Sequence, residues 1–123
     1  MDQQKCGCAQ QSGPFSIFTG DAKTMPLRIA SSDTGLPIDL TSCTEIVINL
    51  PNADGSFTQL KQSLSQVVIV SPALLGQITA LITSVNSAKL NIGELQDVDV
   101  TFTIGGNPFT VRFYQALSVF ELD

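Results

Sequence analysis

The chain has 123 residues, a formal net charge of −5 and only 14% charged residues, against 43% hydrophobic ones. This length suits a single domain that buries about two-thirds of its unfolded surface. The acidic balance argues against a nucleic-acid partner, because phosphate backbones would be repelled. A charged fraction well below the average of about 25% favours an exterior that partly meets other protein.

No apolar run approaches the roughly 20 residues of a membrane span, and residues 1–12 are polar where a signal peptide would be apolar. We therefore expect no membrane partner and a protein made in the cytoplasm. The three cysteines, Cys6, Cys8 and Cys43, are an odd count and a poor disulfide framework. Reduced thiols are expected.

Residues 1–13 are glutamine-rich and show no hydrophobic periodicity, which predicts a flexible N-terminal arm before a single domain over residues 14–123. The arm contains the pair Cys6 and Cys8. A zinc site usually needs four ligands, and the chain has no histidine and only one further cysteine, so a site within one monomer would be incomplete. Arms gathered about a symmetry axis are one alternative, and a plain tail with two exposed thiols is the other.

Short apolar stretches separated by turn signals dominate the remaining chain, and they predict strands. Val67–Val70 is apolar throughout, which is typical of a strand in the centre of a sheet or one covered on both faces. The predicted strands are Phe15–Thr19, Met25–Ala30, Leu36–Leu40, Thr44–Leu50, Ser56–Lys61, Val67–Val70, Ala88–Ile92, the two arms of a hairpin over Val98–Phe113, and Leu117–Leu122.

The hairpin over Val98–Phe113 has the cleanest alternation of apolar and polar residues in the sequence. Pairing Ile104 with Phe109 would place all of its apolar side chains on one inner face. A tight Gly-Asn turn would require an N–H that Pro108 lacks, so a four-residue loop is expected.

One short helix is predicted from Pro72 to Thr83. Ser71 is a typical N-cap and Pro72 suits the first helical position. Apolar residues then recur at helical spacing, with Gly76 as a mildly unfavourable member: Leu74, Leu75, Ile78, Leu81, Ile82 and Val85. About eight strands and one helix near residues 72–83 predict a mainly antiparallel β-sandwich, immunoglobulin-like or jelly-roll in type.

No constellation for catalysis is apparent, since the chain has no histidine. Glu94, Asp97 and Asp99 are a weak candidate for a cation site, but calcium needs more oxygen ligands than they supply, and solubilising charges explain them. Asn52, Asp54 and Ser56 superficially resemble a calcium loop, but the expected distal glutamate is not in place, so turn chemistry explains them. No helix start follows Gly105 to make a phosphate site. We expect no enzyme activity, no metal and no cofactor.

The outer face of the hairpin is the predicted site. A low-charge face that carries threonines and an exposed tyrosine resembles a protein interface more than a catalytic cleft, although scattered surface aromatics are an equal alternative. The candidate interface residues are Asp97, Asp99, Thr101, Arg112, Tyr114 and, near the C-terminus, Phe120.

The order of turns and strands resembles immunoglobulin-like modules of tailed-bacteriophage virion proteins. Phe18–Ile29, the G-x-P-x-D-L-T turn of Gly35–Thr41 and the strand Glu45–Leu50 are similar to their opening half. Lys89–Gln96 and Ala116–Glu121 are similar to their closing half. The resemblance implies a baseplate, tail or head-decoration subunit of a virion, made in the host cytoplasm, that binds other virion proteins and forms homo-oligomers.

A carbohydrate-binding module for host adhesion is the alternative function. Tyr114 would then provide the aromatic platform for a sugar ring, with nearby Asn and Asp side chains as hydrogen-bond partners.

Overall fold

A computed structural model describes residues 14–31 and 34–121, so the arm predicted over residues 1–13 lies outside the described residues. The described chain contains eight strands, two 3-10 helices and one four-residue α-helix. The strands are β1 (Phe15–Phe18), β2 (Lys23–Arg28), β3 (Cys43–Pro51), β4 (Phe57–Lys61), β5 (Val67–Ile69), β6 (Gln77–Ile82), β7 (Gly93–Ile104) and β8 (Asn107–Phe120). The 3-10 helices are Gln62–Leu64 and Ala73–Leu75, and α1 is Ser84–Ser87.

The strands form two sheets that make a β-sandwich, which confirms the predicted fold class. The large sheet has the order β1-β8-β7-β3-β4, and the small sheet has the order β2-β6-β5. All pairs are antiparallel except that of β1 with β8, which is parallel. This parallel pair closes the large sheet with the first and last strands of the described chain.

The inward side chains of both sheets form one hydrophobic cluster. Strand β3 shows the predicted alternation, because Ile46, Ile48 and Leu50 are buried while the residues between them are partly exposed. Met25, Ile78 and Ile82 contribute to the cluster from the small sheet. The cluster has further buried members in both sheets and the loops: Ile17, Leu27, Ile29, Leu40, Leu60, Val67, Ala80, Leu90, Val98, Val100, Phe102, Phe113, Ala116, Leu117 and Val119.

The hairpin of β7 and β8 forms as predicted, but its register is shifted by two residues. Asn107, rather than Phe109, lies opposite Ile104, and Phe109 lies opposite Phe102. A shift of two residues leaves every side chain on the same face of the sheet, so the predicted inner face is correct. Phe102 and Phe113 are buried there, whereas Phe109 is half-exposed at the hairpin tip.

A two-residue turn joins β7 and β8, so the predicted four-residue loop is wrong. Gly105 and Gly106 have φ values of +60° and +80°, the left-handed conformations that a type I′ turn requires. With this turn Pro108 lies opposite Thr103, one pair beyond the hydrogen-bonded pair that closes the hairpin. Pairs alternate along an antiparallel ladder, so no N–H is needed from Pro108 there.

The predicted helix from Pro72 to Thr83 is wrong. Residues Ala73–Leu75 form a single 3-10 turn that ends at Gly76, and Gln77–Ile82 is strand β6. Spacing of four residues is common to a helix and to one face of a strand, so Ile78 and Ile82 fit both patterns. The remaining members of the proposed helical stripe, Leu74, Leu75, Leu81 and Val85, are exposed.

Gly76 explains why the chain cannot continue as a helix at this point. Its φ is +68°, and a Cβ added there would lie 2.5 Å from the carbonyl oxygen of Ile29. The Gly76 carbonyl in turn accepts a 2.8 Å hydrogen bond from the Ile29 N–H. The only α-helix of the described residues, α1, follows β6 and is capped by the Thr83 side chain, which accepts from the Asn86 N–H.

Four other strand predictions need correction. Strand β5 is an edge strand rather than a centre strand, and Val68 on it is 55% exposed. The segments Leu36–Leu40 and Ala88–Ile92 each contribute only one isolated bridge, from Pro37 and Leu90. The predicted strand from Leu117 is the last part of β8, continuous with the hairpin.

Within the described residues, no helix has the length and apolar character to cross a bilayer.

Candidate interaction surface

The outer face of the large sheet collects most of the predicted interface residues, because β7 and β8 pair side by side. One cross-strand row runs over four strands and contains Gln59, Asn49, Asp99 and Arg112. The next row contains Lys61, Val47, Thr101 and Thr110. We call the group Asp97, Asp99, Thr101, Arg112 and Tyr114 the outer-face patch.

Arg112 and Asp99 form a bidentate ion pair across β7 and β8. The Arg112 Nε lies 2.7 Å from one carboxylate oxygen of Asp99, and Nη2 lies 3.1 Å from the other. The hydrogen bonds to Asp99 raise the pKa of Arg112 above its ordinary value. Two parallel bonds hold the guanidinium in one orientation, so this exposed charge pair has a defined geometry.

The threonine hydroxyls of the neighbouring pair are bonded to each other. Thr101 Oγ1 lies 2.8 Å from Thr110 Oγ1, and either atom can donate. Directly opposed threonines are a favourable cross-strand pair. The side chains at the centre of the patch are therefore ordered before any partner arrives.

Asp97 has a structural task that the sequence did not reveal. The pairing of β7 with β8 shifts register between Gln96 and Val98, and on β8 Gln115 adopts a left-handed conformation with φ of +54°. One carboxylate oxygen of Asp97 accepts a 2.9 Å hydrogen bond from the Gln115 N–H. Asp97 thus satisfies the backbone of a bulge while its side chain stays at the surface.

The two aromatic residues of the predicted interface do not lie together. Tyr114 belongs to the outer-face patch and is 55% exposed. Phe120 lies beyond the bulge, about 20 Å further along β8 at the usual rise of an extended strand. There it packs against Phe18 of β1, with ring centroids 5.9 Å apart. The structure therefore separates Phe120 from the other five residues.

Two of the three carboxylates considered for a cation site are occupied by other interactions. Asp99 binds Arg112, and Asp97 binds the Gln115 N–H. Among the described residues, no three His, Cys, Asp or Glu side chains are grouped to hold a metal ion. The half-buried Cys43 is a free thiol whose pKa is raised by burial. The Cys6 and Cys8 motif lies outside the described residues.

The turn at Asn52–Ser56 is stabilised by its own side chains. An oxygen of Asp54 accepts from both the N–H and the hydroxyl of Ser56, at 2.9 and 2.5 Å. These bonds lower the pKa of Asp54. Asn52 accepts a 2.7 Å bond from the Thr58 hydroxyl. The resemblance of this segment to a calcium loop is therefore explained by turn chemistry.

A second exposed surface was missed from the sequence. Pro26, Thr79 and Val68 form one row across the small sheet, with Leu81 in the next row. Val68 and Leu81 are 55% and 44% exposed. We call Pro26, Val68 and Leu81 the small-sheet patch. The sequence has no clear signal for this surface, because Leu81 lies in an apolar run with Ala80 and Ile82.

Comparison with solved structures supports the fold. The chain is similar to the N-terminal domain of phage TP901-1 ORF48, with a TM-score of 0.52 and 13% identity over 86% of this chain and 85% of that one. A further match, Tim-2, has a TM-score of 0.35 and 14% identity over 90% and 96% of the two chains, too low to carry an argument. No family model matches the sequence. No curated protein matches it either.

Proposed function

We propose that the chain is a non-enzymatic structural component of a bacteriophage virion, a tail, baseplate or capsid-decoration subunit. One observation carries the proposal: the sandwich shares its fold over 86% of its length with a domain of a phage protein. The resemblance of the sequence to virion modules agrees with this assignment. The protein would be made in the host cytoplasm and incorporated into the particle.

The outer-face patch is the surface that we assign to neighbouring virion proteins. Asp99 is paired with Arg112, and the Thr101 hydroxyl is bonded to that of Thr110. A partner therefore meets side chains that have already lost much of their freedom. Tyr114 is a large exposed side chain at the margin of this ordered area. Tyrosine and arginine are the residue types that most often dominate binding energy at protein interfaces.

The interactions that these polar groups already make support a binding role rather than catalysis. A general acid or base must be available to a substrate, whereas Asp99 and Arg112 neutralise each other and Asp97 binds the backbone. The partners that we propose are other virion proteins and further copies of the chain.

The test is to identify the protein in purified particles of the phage that carries its gene, by mass spectrometry after density-gradient separation. We expect wild-type protein in the particle fraction. Arg112→Glu should reduce its copy number about tenfold or more, the result of losing one strong interface contact. Lys89→Glu makes the same charge change at an exposed site outside the patch and should leave the copy number unchanged. Absence of the wild-type protein from particles would reject the proposal.

Host adhesion through carbohydrate is a second candidate, favoured by the exposed ring of Tyr114 next to hydrogen-bonding side chains. Sugar rings stack on such aromatic faces. Binding on a glycan array that is lost in Tyr114→Ala, while Val85→Ala at the exposed helix α1 retains it, would support this function. No binding to any glycan would reject it.

A further inference from the structure

The outward edge of β4 presents unpaired backbone groups. The Lys61 N–H donates to Gln66 Oε1 and the Lys61 carbonyl accepts from the Gln66 N–H, both at 3.0 Å. The Lys61 backbone therefore faces away from β3. Because this direction alternates along an antiparallel strand, the backbones of Gln59 and Phe57 also face away. Pro51, which lies opposite Phe57 and has no N–H, agrees with this pattern.

Phe57 and Gln59 leave these groups open to solvent. Phe57 is 59% exposed and Gln59 is also exposed. Within residues 14–31 and 34–121, no hydrogen bond reaches their N–H or carbonyl groups from beyond the β3–β4 ladder. Two donors and two acceptors, spaced as one side of a strand, are therefore available for a further strand.

The other sheet edges in the described chain are partly occupied or blocked. On β1, the Ser16 carbonyl accepts from Lys23 Nζ at 3.0 Å, and the Phe18 carbonyl accepts from the Asp21 N–H at 3.1 Å. Strand β2 has Pro26, which removes a donor from its outer edge. Strand β5 is three residues long, and Val67 on it is only 1% exposed. Strand β4 is thus the edge on which both donors and acceptors remain open.

We propose that β4 pairs antiparallel with β4 of a second copy of this chain, about a two-fold axis at Thr58. Phe57 of each copy then lies opposite Gln59 of the other. Both residues face the open edge in both copies, so the two pairs form four backbone hydrogen bonds. The two large sheets become one continuous sheet of ten strands, an interface of the closed two-fold kind.

Charge complementarity favours the second copy as the occupant of this edge. In the same register, Lys61 lies opposite Gly55 of the second copy and therefore next to its Asp54. The symmetry repeats this pairing of opposite charges at the other end of the strand. Shifting the pairing of the two β4 strands by two residues toward Lys61 would place the Lys61 backbone between the two copies. Its N–H and carbonyl are not available there, because both are already bonded to Gln66. The four-bond register is therefore favoured over its neighbours.

The interface is small, so we expect a weak dimer with a dissociation constant on the order of 1 mM or below. Sedimentation velocity of the full chain over a concentration series should show this dimer. Hydrogen exchange should show that the amides of Phe57 and Gln59 become protected as the concentration rises, while the amides of Ser16 and Phe18 on β1 do not change. A chain that stays monomeric up to about 1 mM would overturn the proposal.

Gln59→Pro is the decisive variant, because it removes a donor that the monomer does not use, and proline is tolerated on sheet edges. We expect it to weaken the dimer about tenfold or more, while the matched control Gln59→Ala, which keeps the N–H, retains wild-type affinity. Equal dimerisation of the proline variant and wild type, or equal loss in both variants, would contradict pairing through the backbone.

Lys61→Glu provides a second test if the proline variant fails to fold. It should weaken the dimer about threefold or more, and adding Asp54→Lys should recover most of the loss. Failure of the reversed pair to recover it would overturn the register. The inference does not depend on the proposed virion function, because dimerisation in solution is measured without the particle.

Discussion

The two outer faces of the sandwich differ in the chemistry and the interactions of their side chains. On the large sheet, Asp99 and Arg112 form an ion pair and Thr101 bonds to Thr110. On the small sheet, the outward side chains include no carboxylate and form no ion pair among described residues: Thr24, Pro26, Arg28, Val68, Gln77, Thr79 and Leu81. The first face holds paired charges and bonded hydroxyls, whereas the second combines three apolar side chains with three uncharged polar ones and one arginine.

This difference indicates which kind of partner each face can bind. An ordered set of charges and hydroxyls selects a partner of complementary charge and geometry. Apolar side chains such as those of the small-sheet patch gain free energy from contact with any apolar surface and discriminate little. Neither outer face contributes to the buried cluster, so substitutions there should change binding without unfolding the protein.

Gly76→Ala should have the largest effect on stability, because it disrupts the entry into the small sheet. A Cβ would meet the Ile29 carbonyl oxygen at 2.5 Å in a backbone conformation with φ of +68°. We expect a loss of about 3 kcal/mol in the free energy of unfolding, measured by urea denaturation.

Gly105→Ala is the matched control for that prediction. Its φ is also positive, but no atom lies within 4 Å of the added Cβ. It should cost only about 1 kcal/mol. If Gly76 were helical, alanine would instead stabilise the chain by about 1 kcal/mol. A stabilised Gly76→Ala variant would therefore contradict the assignment of Gln77–Ile82 to a strand of the small sheet.

Asp97→Ala should have an intermediate effect, confined to the large sheet. It removes the acceptor for the Gln115 N–H at the bulge of β8. We expect a loss of about 1 kcal/mol on thermal or urea denaturation. Asp97→Asn keeps an acceptor oxygen and should recover more than half of this loss. Equal loss in the two variants would show that the carboxylate acts through its charge rather than through this bond.

Arg112→Ala should change stability very little, although the ion pair is well ordered. Side chains at the surface are screened by water, so this pair should add little to the free energy of unfolding. Leu81→Thr on the small-sheet patch should be similarly small, because Leu81 is 44% exposed. The measurement is the urea midpoint of each variant. A decrease in the urea midpoint for Arg112→Ala as large as that for Gly76→Ala would mean that this face supports the fold, contrary to our account.

Acidification should have the smallest effect on stability. It should act through carboxylates in turns that lie outside both faces. Hydrogen bonds from Thr41 lower the pKa of Asp39, and those from Ser56 lower the pKa of Asp54. A carboxyl whose pKa is lower in the folded state stabilises the fold at pH values above its ordinary pKa of 3.8. This contribution is lost as the pH falls through the pKa of the folded state. The urea midpoint should decrease as the pH falls below about 4.

Asp54→Asn tests the source of this pH dependence. The variant has no carboxyl to titrate at this turn, so its urea midpoint should decrease less than that of wild type over the same pH range. A steeper decrease in Asp54→Asn than in wild type would contradict the assignment.

Much of the large sheet was predictable, because one of its faces is buried and the other is exposed. Alternation in β3 and β7 identified both strands and correctly separated Val98 and Val100 from Asp99 and Thr101. The shifted register of the hairpin was not predictable from alternation, since a slip of two residues leaves both faces unchanged. The parallel pairing of β1 with β8 depends on contacts between the two ends of the described chain, which local pattern does not report.

The small sheet was less predictable for a different physical reason. Ile78 and Ile82 are four residues apart, a spacing that fits one face of a helix and one face of a strand alike. The features that decide between them are the left-handed Gly76 and the pairing of β6 with both of its neighbours. Neither is visible in the sequence, so the small-sheet patch was missed together with its central strand.

The copy number in purified particles tests the central claim most directly, when one substitution is made on each face. Tyr114→Ala alters the outer-face patch and Leu81→Ala alters the small-sheet patch, and both side chains are about half exposed. Our account predicts that Tyr114→Ala reduces the number of copies per particle about tenfold, while Leu81→Ala retains the wild-type number. Normal incorporation of Tyr114→Ala together with loss of Leu81→Ala would contradict it.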